Sequence, residues 1–139
     1  GKEILASLGK DDKTIVLVGR PYNSYDEEVN LGITKIFRDM NVLLMPMDFL
    51  PLDDIDISGE WPNMYWKYGE KILSAVEFIG NNPNLYPVYL TNFACGPDSF
   101  LLNFFRKASG SKPYLQIEVD EHGGPAGVIG CASTHAGAR

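Results

Sequence analysis

Apolar residues recur along this chain in two alternating rhythms, one of short unbroken runs and one of helical spacing. Residues 14–19, Thr-Ile-Val-Leu-Val-Gly, form a β-branched and aliphatic run after the charged segment 10–13. That is the composition of a strand covered on both faces. Gly19-Arg20-Pro21-Tyr22-Asn23 breaks the run, and Val29, Ile33, Ile36, Phe37 and Met40 then follow at helical spacing. A helix from about Glu27 to Met40 is predicted. Val42 to Met47 is a second apolar run, too short for a helix of typical length, and reads as strand two. The acidic stretch from Asp48 to Glu60, interrupted by Pro51 and Gly59, reads as a surface loop.

Trp61 to Gly80 carries Trp66, Ile72, Leu73, Val76 and Ile79 at mixed helical spacings, with Pro62 where a first helical turn tolerates it. This predicts a second long helix. Asn81-Asn82-Pro83-Asn84 ends it, and Val88-Tyr89-Leu90-Thr91 marks a third strand near residues 86–92. Pro97 and Asp98 open a third helix whose apolar positions Phe100, Leu101, Phe104 and Phe105 lead to Gly110 as terminator, and residues 112–119 supply strand four. Strands alternating with helices imply right-handed crossovers. The expected fold is α/β, Rossmann-like or flavodoxin-like, with a mainly parallel sheet and helices on both faces. Residues 1–13 form a lead-in, 14–122 the α/β domain, and 123–139 an irregular tail in which no period appears.

A length of 139 residues, 45% hydrophobic and 22% charged, suits one core that folds without a disulfide framework or structural metal. Any metal is then functional. A net charge of −6 with scattered basic residues argues against nucleic acid as a partner, because neutralising phosphates takes clustered Lys and Arg. No apolar run approaches bilayer length and the N-terminus lacks a signal-peptide core, so no membrane association and a cytoplasmic location are expected. Cys95 and Cys131 have no C-x-x-C spacing and are expected as reduced thiols.

In an open parallel sheet, ligands bind beyond the carboxyl ends of the strands. Three segments qualify here: Gly19-Arg20-Pro21-Tyr22-Asn23, Met47-Asp48, and Thr91-Asn92-Phe93-Ala94-Cys95-Gly96-Pro97-Asp98-Ser99. They nominate Arg20, Asn23, Gly96 and Ser99 as candidate cofactor-binding residues and Cys95 as a candidate metal ligand. A thiol placed just before a helix start faces unpaired N–H groups and the positive end of the helix dipole, which favours the ligating thiolate. The alternative is an apolar Cys95 packed beneath the helix. Arg20 can bind a phosphate or carboxylate, or close a salt bridge with the acidic Asp48 loop.

Neither G-x-G-x-x-G nor the P-loop pattern occurs, so no ATP site is expected within the chain. Asp120-Glu121-His122 is either a metal or acid–base cluster or a solvated strand end. Trp61, Tyr65, Trp66 and Tyr68 form either an aromatic docking face or a core edge, with the core expected. Asp48, Asp53, Asp54 and Asp56 lack the order of a calcium loop and read as solvated.

Val18-Gly19-Arg20-Pro21-Tyr22-Asn23, Trp61-Pro62-Asn63-Met64-Tyr65-Trp66, the long stretch Tyr86 to Phe100 containing Phe93-Ala94-Cys95-Gly96-Pro97-Asp98-Ser99-Phe100, and Asp120-Glu121-His122 together resemble a known pattern. It is that of the large acyl-CoA dehydratase activases, specifically the domain following their ATPase modules. That domain is related to the 2-hydroxyacyl-CoA dehydratase, benzoyl-CoA reductase and double-cubane iron-sulfur proteins. The resemblance covers roughly residues 14–122 and implies anaerobic metabolism in which ATP hydrolysis drives low-potential electrons into an iron-sulfur protein. By this resemblance Cys95 is similar in place to a cluster-ligating cysteine in an electron-transfer domain; the alternatives are a non-catalytic docking domain of the same large protein with Cys95 buried, or a small-molecule binding module using Arg20 and the strand ends. The implied partners are the activase ATPase modules or another iron-sulfur subunit of the acyl-CoA system. One cysteine cannot hold a [4Fe–4S] cluster, so the implied cluster is incomplete in this chain alone. After His122 the sequence leaves the family pattern.

Overall fold

The computed structural model describes residues 2–7, 9, 12–20, 33–35, 37–92, 96–119 and 129–131. Five strands form one sheet: β1 (Thr14–Gly19), β2 (Leu43–Pro46), β3 (Leu85–Asn92), β4 (Leu115–Val119) and β5 (Ile129–Cys131), in the order β2-β1-β3-β4-β5. The first four are parallel, as expected, and β5 adds to β4 antiparallel. Three helices are bounded among the described residues: α1 (Lys2–Ser7), α2 (Lys67–Gly80) and α3 (Gly96–Ser109). Residues 33–35 and 37–39 are also helical. The architecture is α/β with the 2-1-3-4 winding of a flavodoxin-like sheet.

This winding decides which face each helix covers. The path from β1 to β2 steps one way across the sheet, and those from β2 to β3 and β3 to β4 step the other way. Right-handed crossovers then put the first connection on one face and α2 and α3 on the opposite face. The packing follows this division. On the α2–α3 face, Val16, Val18, Met45, Leu85 and Tyr89 meet Ile72, Val76, Ile79, Leu101 and Phe105. On the other, Leu17, Val88, Leu90 and Ile117 meet Ile33 and Phe37. Neighbouring strand residues alternate between the two clusters, the period-two signature of extended chain.

Local chemistry ends the helical segments where the sequence changes character. Asn41 has φ 54°, its N–H donates to the Arg38 carbonyl, and the Val42 N–H donates to the Phe37 carbonyl. This paired closure with a left-handed residue ends a helix and turns it into β2. Gly110, with φ 55°, does the same after α3. Pro87 sits in the central strand β3 even though proline cannot donate to a ladder. The β3–β4 pairing begins only at Val88, so the side of Pro87 away from β1 has no strand beside it.

Four expectations are corrected. The second helix starts at Lys67, not near Trp61. Trp61 and Met64 are buried at a three-residue spacing that imitates a helix, but Trp66 is extended and only the Glu70 N–H to Trp66 carbonyl bond begins the helix. Met40, counted in the buried stripe, is 64% exposed because the chain has already turned at Asn41. Phe100 is 54% exposed, because α3 directs Leu101 and Phe105 into the core. Finally, the tail, read as irregular, contributes β5. The first helical stretch is described only from Ile33 onward, so Val29 and Ile36 lie outside the described residues.

Lys112 ties the end of the sheet opposite the strands' carboxyl termini. Its ammonium donates to the carbonyls of Ile79, at 2.6 Å, and of Asn82, and lies 5.4 Å from the Tyr86 ring centroid. It thereby adds a cation to carbonyls at the end of α2 that also accept the Asn82 and Leu85 N–H groups. Burial pushes its pKa below the ordinary lysine value.

Two outcomes are expected. A Cβ at Gly19 would stand 2.9 Å from the Leu90 carbonyl oxygen, a backbone atom of the paired strand. Gly19→Ala should therefore lower stability in urea unfolding by about 1–3 kcal/mol, while Gly59→Ala, which meets open space, changes it by less than about 0.5 kcal/mol. Lys112→Ala should cost about 1 kcal/mol through the lost carbonyl bonds. The unfolded chain holds the Lys112 proton more tightly than the folded one, so wild-type stability rises as pH climbs through the window below the ordinary lysine value. Lys112→Ala removes that increment, as urea midpoints measured across the alkaline range will show.

Candidate functional site

The winding reverses between β1 and β3. From these adjacent strands the connections depart to opposite faces, which makes their carboxyl ends the topological switch point of the sheet, the place where open α/β sheets bind ligands. Gly19 ends β1 opposite Leu90, and β3 runs on to Asn92 before α3 begins at Gly96. Arg20 is the first residue beyond β1 and is half-buried, with its contacts made inside the chain. Thr91, the residue after Leu90, is buried. The missing Cβ of Gly19 lets the ends of the two strands close on each other at this point.

The start of α3 brings the positive end of a 14-residue helix to the same sheet end. Gly96 begins this helix, where a Cβ would meet nothing within 4 Å, and Ser99 is exposed in the first turn. Both sequence-nominated residues therefore sit where backbone N–H groups lack intrahelical partners. Such a terminus favours a negative group, including a thiolate.

Asp48 follows β2 in the 3-10 turn Met47–Phe49, on the same side of the sheet as Arg20. Its carboxylate pairs with the Lys71 ammonium from α2. Sequence reading did not find this partner, which lies 23 positions away in a helix whose first turn is elsewhere than expected. Arg20, Asp48, Gly96 and Ser99 are thus brought to one end of the sheet. Asn23, Cys95 and Asp120-Glu121-His122 lie outside the described residues.

Cys131 is positioned by backbone pairing alone. It is opposite Gln116 of β4, which is in turn opposite Tyr89 of β3. Tyr89 precedes the end of β3 by three residues, about 10 Å along a strand. The backbone of Cys131 is therefore set back from the carboxyl edge. Among the described residues no three His, Cys, Asp or Glu side chains gather in a group able to hold a metal ion. No helix among them is long and apolar enough to cross a membrane.

Residues 1–50, the first third of the chain, match the family model described as CoA enzyme activase uncharacterised domain. The match runs from α1 through β1 and β2 to the end of the turn bearing Asp48, and so includes Arg20. It supports the resemblance to an acyl-CoA dehydratase activase-associated domain drawn from the motifs. No curated protein and no solved structure matches the chain.

The Asp48–Lys71 pair joins β2 to α2 from a partly exposed position. Lys71→Met is expected to lower stability by no more than about 1 kcal/mol and to leave the fold unchanged, as urea unfolding and far-UV circular dichroism will report.

Proposed function

We propose, from the premise that residues 1–50 carry the CoA enzyme activase uncharacterised domain, that this chain is the α/β electron-transfer part of an ATP-driven 2-hydroxyacyl-CoA dehydratase and activase system. In this reading Cys95 is one ligand of an iron-sulfur cluster. The observation that carries it is the helix start at Gly96, directly after the cysteine in sequence and at the carboxyl end of β3. Unpaired N–H groups and the helix dipole there stabilise a thiolate. The cluster, when bound, supplies one-electron chemistry at low potential. Arg20 and the first turn of α3, with Ser99, add positive potential beside it, which suits an anionic cluster or the phosphates of an acyl-CoA.

The chain alone does not fit a complete [4Fe–4S] centre. Such a centre takes several thiolates, and Cys131 belongs to a strand whose backbone is set back from this edge. The remaining ligands come, in this proposal, from another iron-sulfur subunit or from further segments beside the activase ATPase modules. The same reading puts the protein in the cytoplasm of an anaerobically metabolising cell, with ATP bound by those modules and not by this chain.

Anaerobic reconstitution with iron and sulfide tests the proposal. The chain by itself should incorporate little iron, and its assembly with the ATPase modules and the iron-sulfur subunit should incorporate a cluster. Cys95→Ala should lower iron and sulfide content of that assembly while leaving the circular dichroism and urea midpoint of the chain unchanged. Unchanged cluster content together with a lost fold would make Cys95 a core residue and this chain a docking domain.

A further inference from the structure

We infer that the segment between β2 and α2, together with the exposed start of α3, is a docking surface for a basic protein segment, one whose Arg or Lys side chains alternate with apolar ones. Residues 50–66 contain no regular helix or strand, a length at which irregular chain inside a compact domain is usually functional. The segment is nonetheless well anchored. Leu50, Ile57, Trp61 and Met64 are all at most 9% exposed and belong to the larger core. Turn bonds run from the Trp61 N–H to the Ile57 carbonyl at 2.8 Å and from the Met64 N–H to the Trp61 carbonyl at 3.1 Å. A Cβ on Gly69 would stand 2.6 Å from the Met64 sulfur, so the glycine makes room for that anchor.

Beyond the last of these anchors the side chains turn outward. Tyr65 is 83% exposed and Trp66 is 40% exposed, and they immediately precede α2. Phe100 belongs to the same neighbourhood. Its ring centroid lies 4.6 Å from that of Phe104, which lies 5.2 Å from that of Trp61. The row of rings thus runs from the anchored loop out to an exposed phenyl on α3. Water meets large aromatic surfaces here although the core beneath is well filled, the pattern of a surface that is covered by a partner.

Charge selects the partner. Residues 50–66 contain Asp53, Asp54, Asp56 and Glu60 and no Lys, Arg or His. All four carboxylates are exposed. The Ser58 hydroxyl and N–H both hydrogen-bond the Asp56 carboxylate and hold its pKa below the usual value, so it remains charged. Of the cations nearby, Lys71 is engaged by Asp48 and the Lys107 ammonium lies 5.0 Å from the Trp61 ring centroid, so with the exposed Lys67 at the start of α2 the four carboxylates remain in excess. Carboxylates beside exposed Tyr and Trp rings recognise guanidinium and ammonium groups by ion pairing and cation–π contact. The same charges repel nucleic acid and anionic lipid. This inference does not depend on the ligand role of Cys95.

Titration of the isotope-labelled 139-residue chain with two peptides of equal length, one alternating Arg and Lys with Leu and the other its Glu-substituted counterpart, tests it. The basic peptide should shift amide resonances within residues 51–66 and 96–104 and bind more weakly as salt rises; the acidic peptide should shift none. The double variant Tyr65→Ser/Trp66→Ser and the triple variant Asp53→Asn/Asp54→Asn/Glu60→Gln, each checked for an unchanged urea midpoint, should each weaken binding at least tenfold. Undiminished binding by either variant, shifts spread over the whole sheet, or no binding overturns the proposal. So does binding to vesicles containing phosphatidylserine, or concentration-dependent dimerisation of the chain that these variants abolish. Iron content of the assembled complex, unaltered in both variants, separates this outcome from failure of the cluster reading.

Discussion

The rest of the structure depends on the side-by-side pairing of β1 and β3. Every crossover in the described chain leaves or enters one of these two strands, and the six-rung register from Thr14 opposite Leu85 to Gly19 opposite Leu90 fixes where each begins. Both strands are covered on both faces, so they can be built only from residues that satisfy two cores at once. Val16 and Val18 face one helical layer and Leu17 faces the other. Because the two layers share these strands, a displacement of one strand end is felt on both sides of the sheet. At Gly19 the Leu90 backbone stands so near that a Cβ would meet its carbonyl oxygen at 2.9 Å. Gly19 lies at the carboxyl end of the sheet, beside Arg20 and on the same edge as the start of α3.

The central strands were legible in the sequence because double-sided burial leaves an unbroken apolar run. Strand direction followed from the alternation of strands and helices, and it was enough to bring Arg20, Asp48 and Gly96 to one end. Three other features had no such signature. Trp61 and Met64 carry helical spacing inside a loop, because anchoring a compact turn can require the same i, i+3 geometry as a helix face. Phe100 with Phe104, and Leu101 with Phe105, form two adjacent apolar stripes on α3. Only tertiary packing decides that the second stripe faces the core. The Lys71 partner of Asp48 depends on where α2 starts, which the pattern misplaced.

At the carboxyl edge the sheet provides geometry, and the chemistry is supplied by loops and helix starts. Arg20 and the N-terminus of α3 converge because two parallel strands end together, not because either residue attracts the other. The acidic aromatic segment is also at this edge, since it fills the path from β2 to α2. An electron-transfer role and a recruitment role are therefore compatible on one scaffold. The proposed electron transfer belongs to the switch point between β1 and β3, and the inferred recruitment to the anchored loop beside it.

The outermost strands limit how this domain can join another protein. β2 has four residues and closes with Pro46, which has no N–H to offer, and β5 has only three residues. A neighbouring chain seeking to extend the sheet would find few backbone groups to bond on either side. Strand addition, a common route to both specific complexes and aggregates, is thus weakly supported by this fold. Among the described residues this favours assembly through side chains over strand addition, so aromatic residues beside the loops are exposed without a long edge to template β-aggregation.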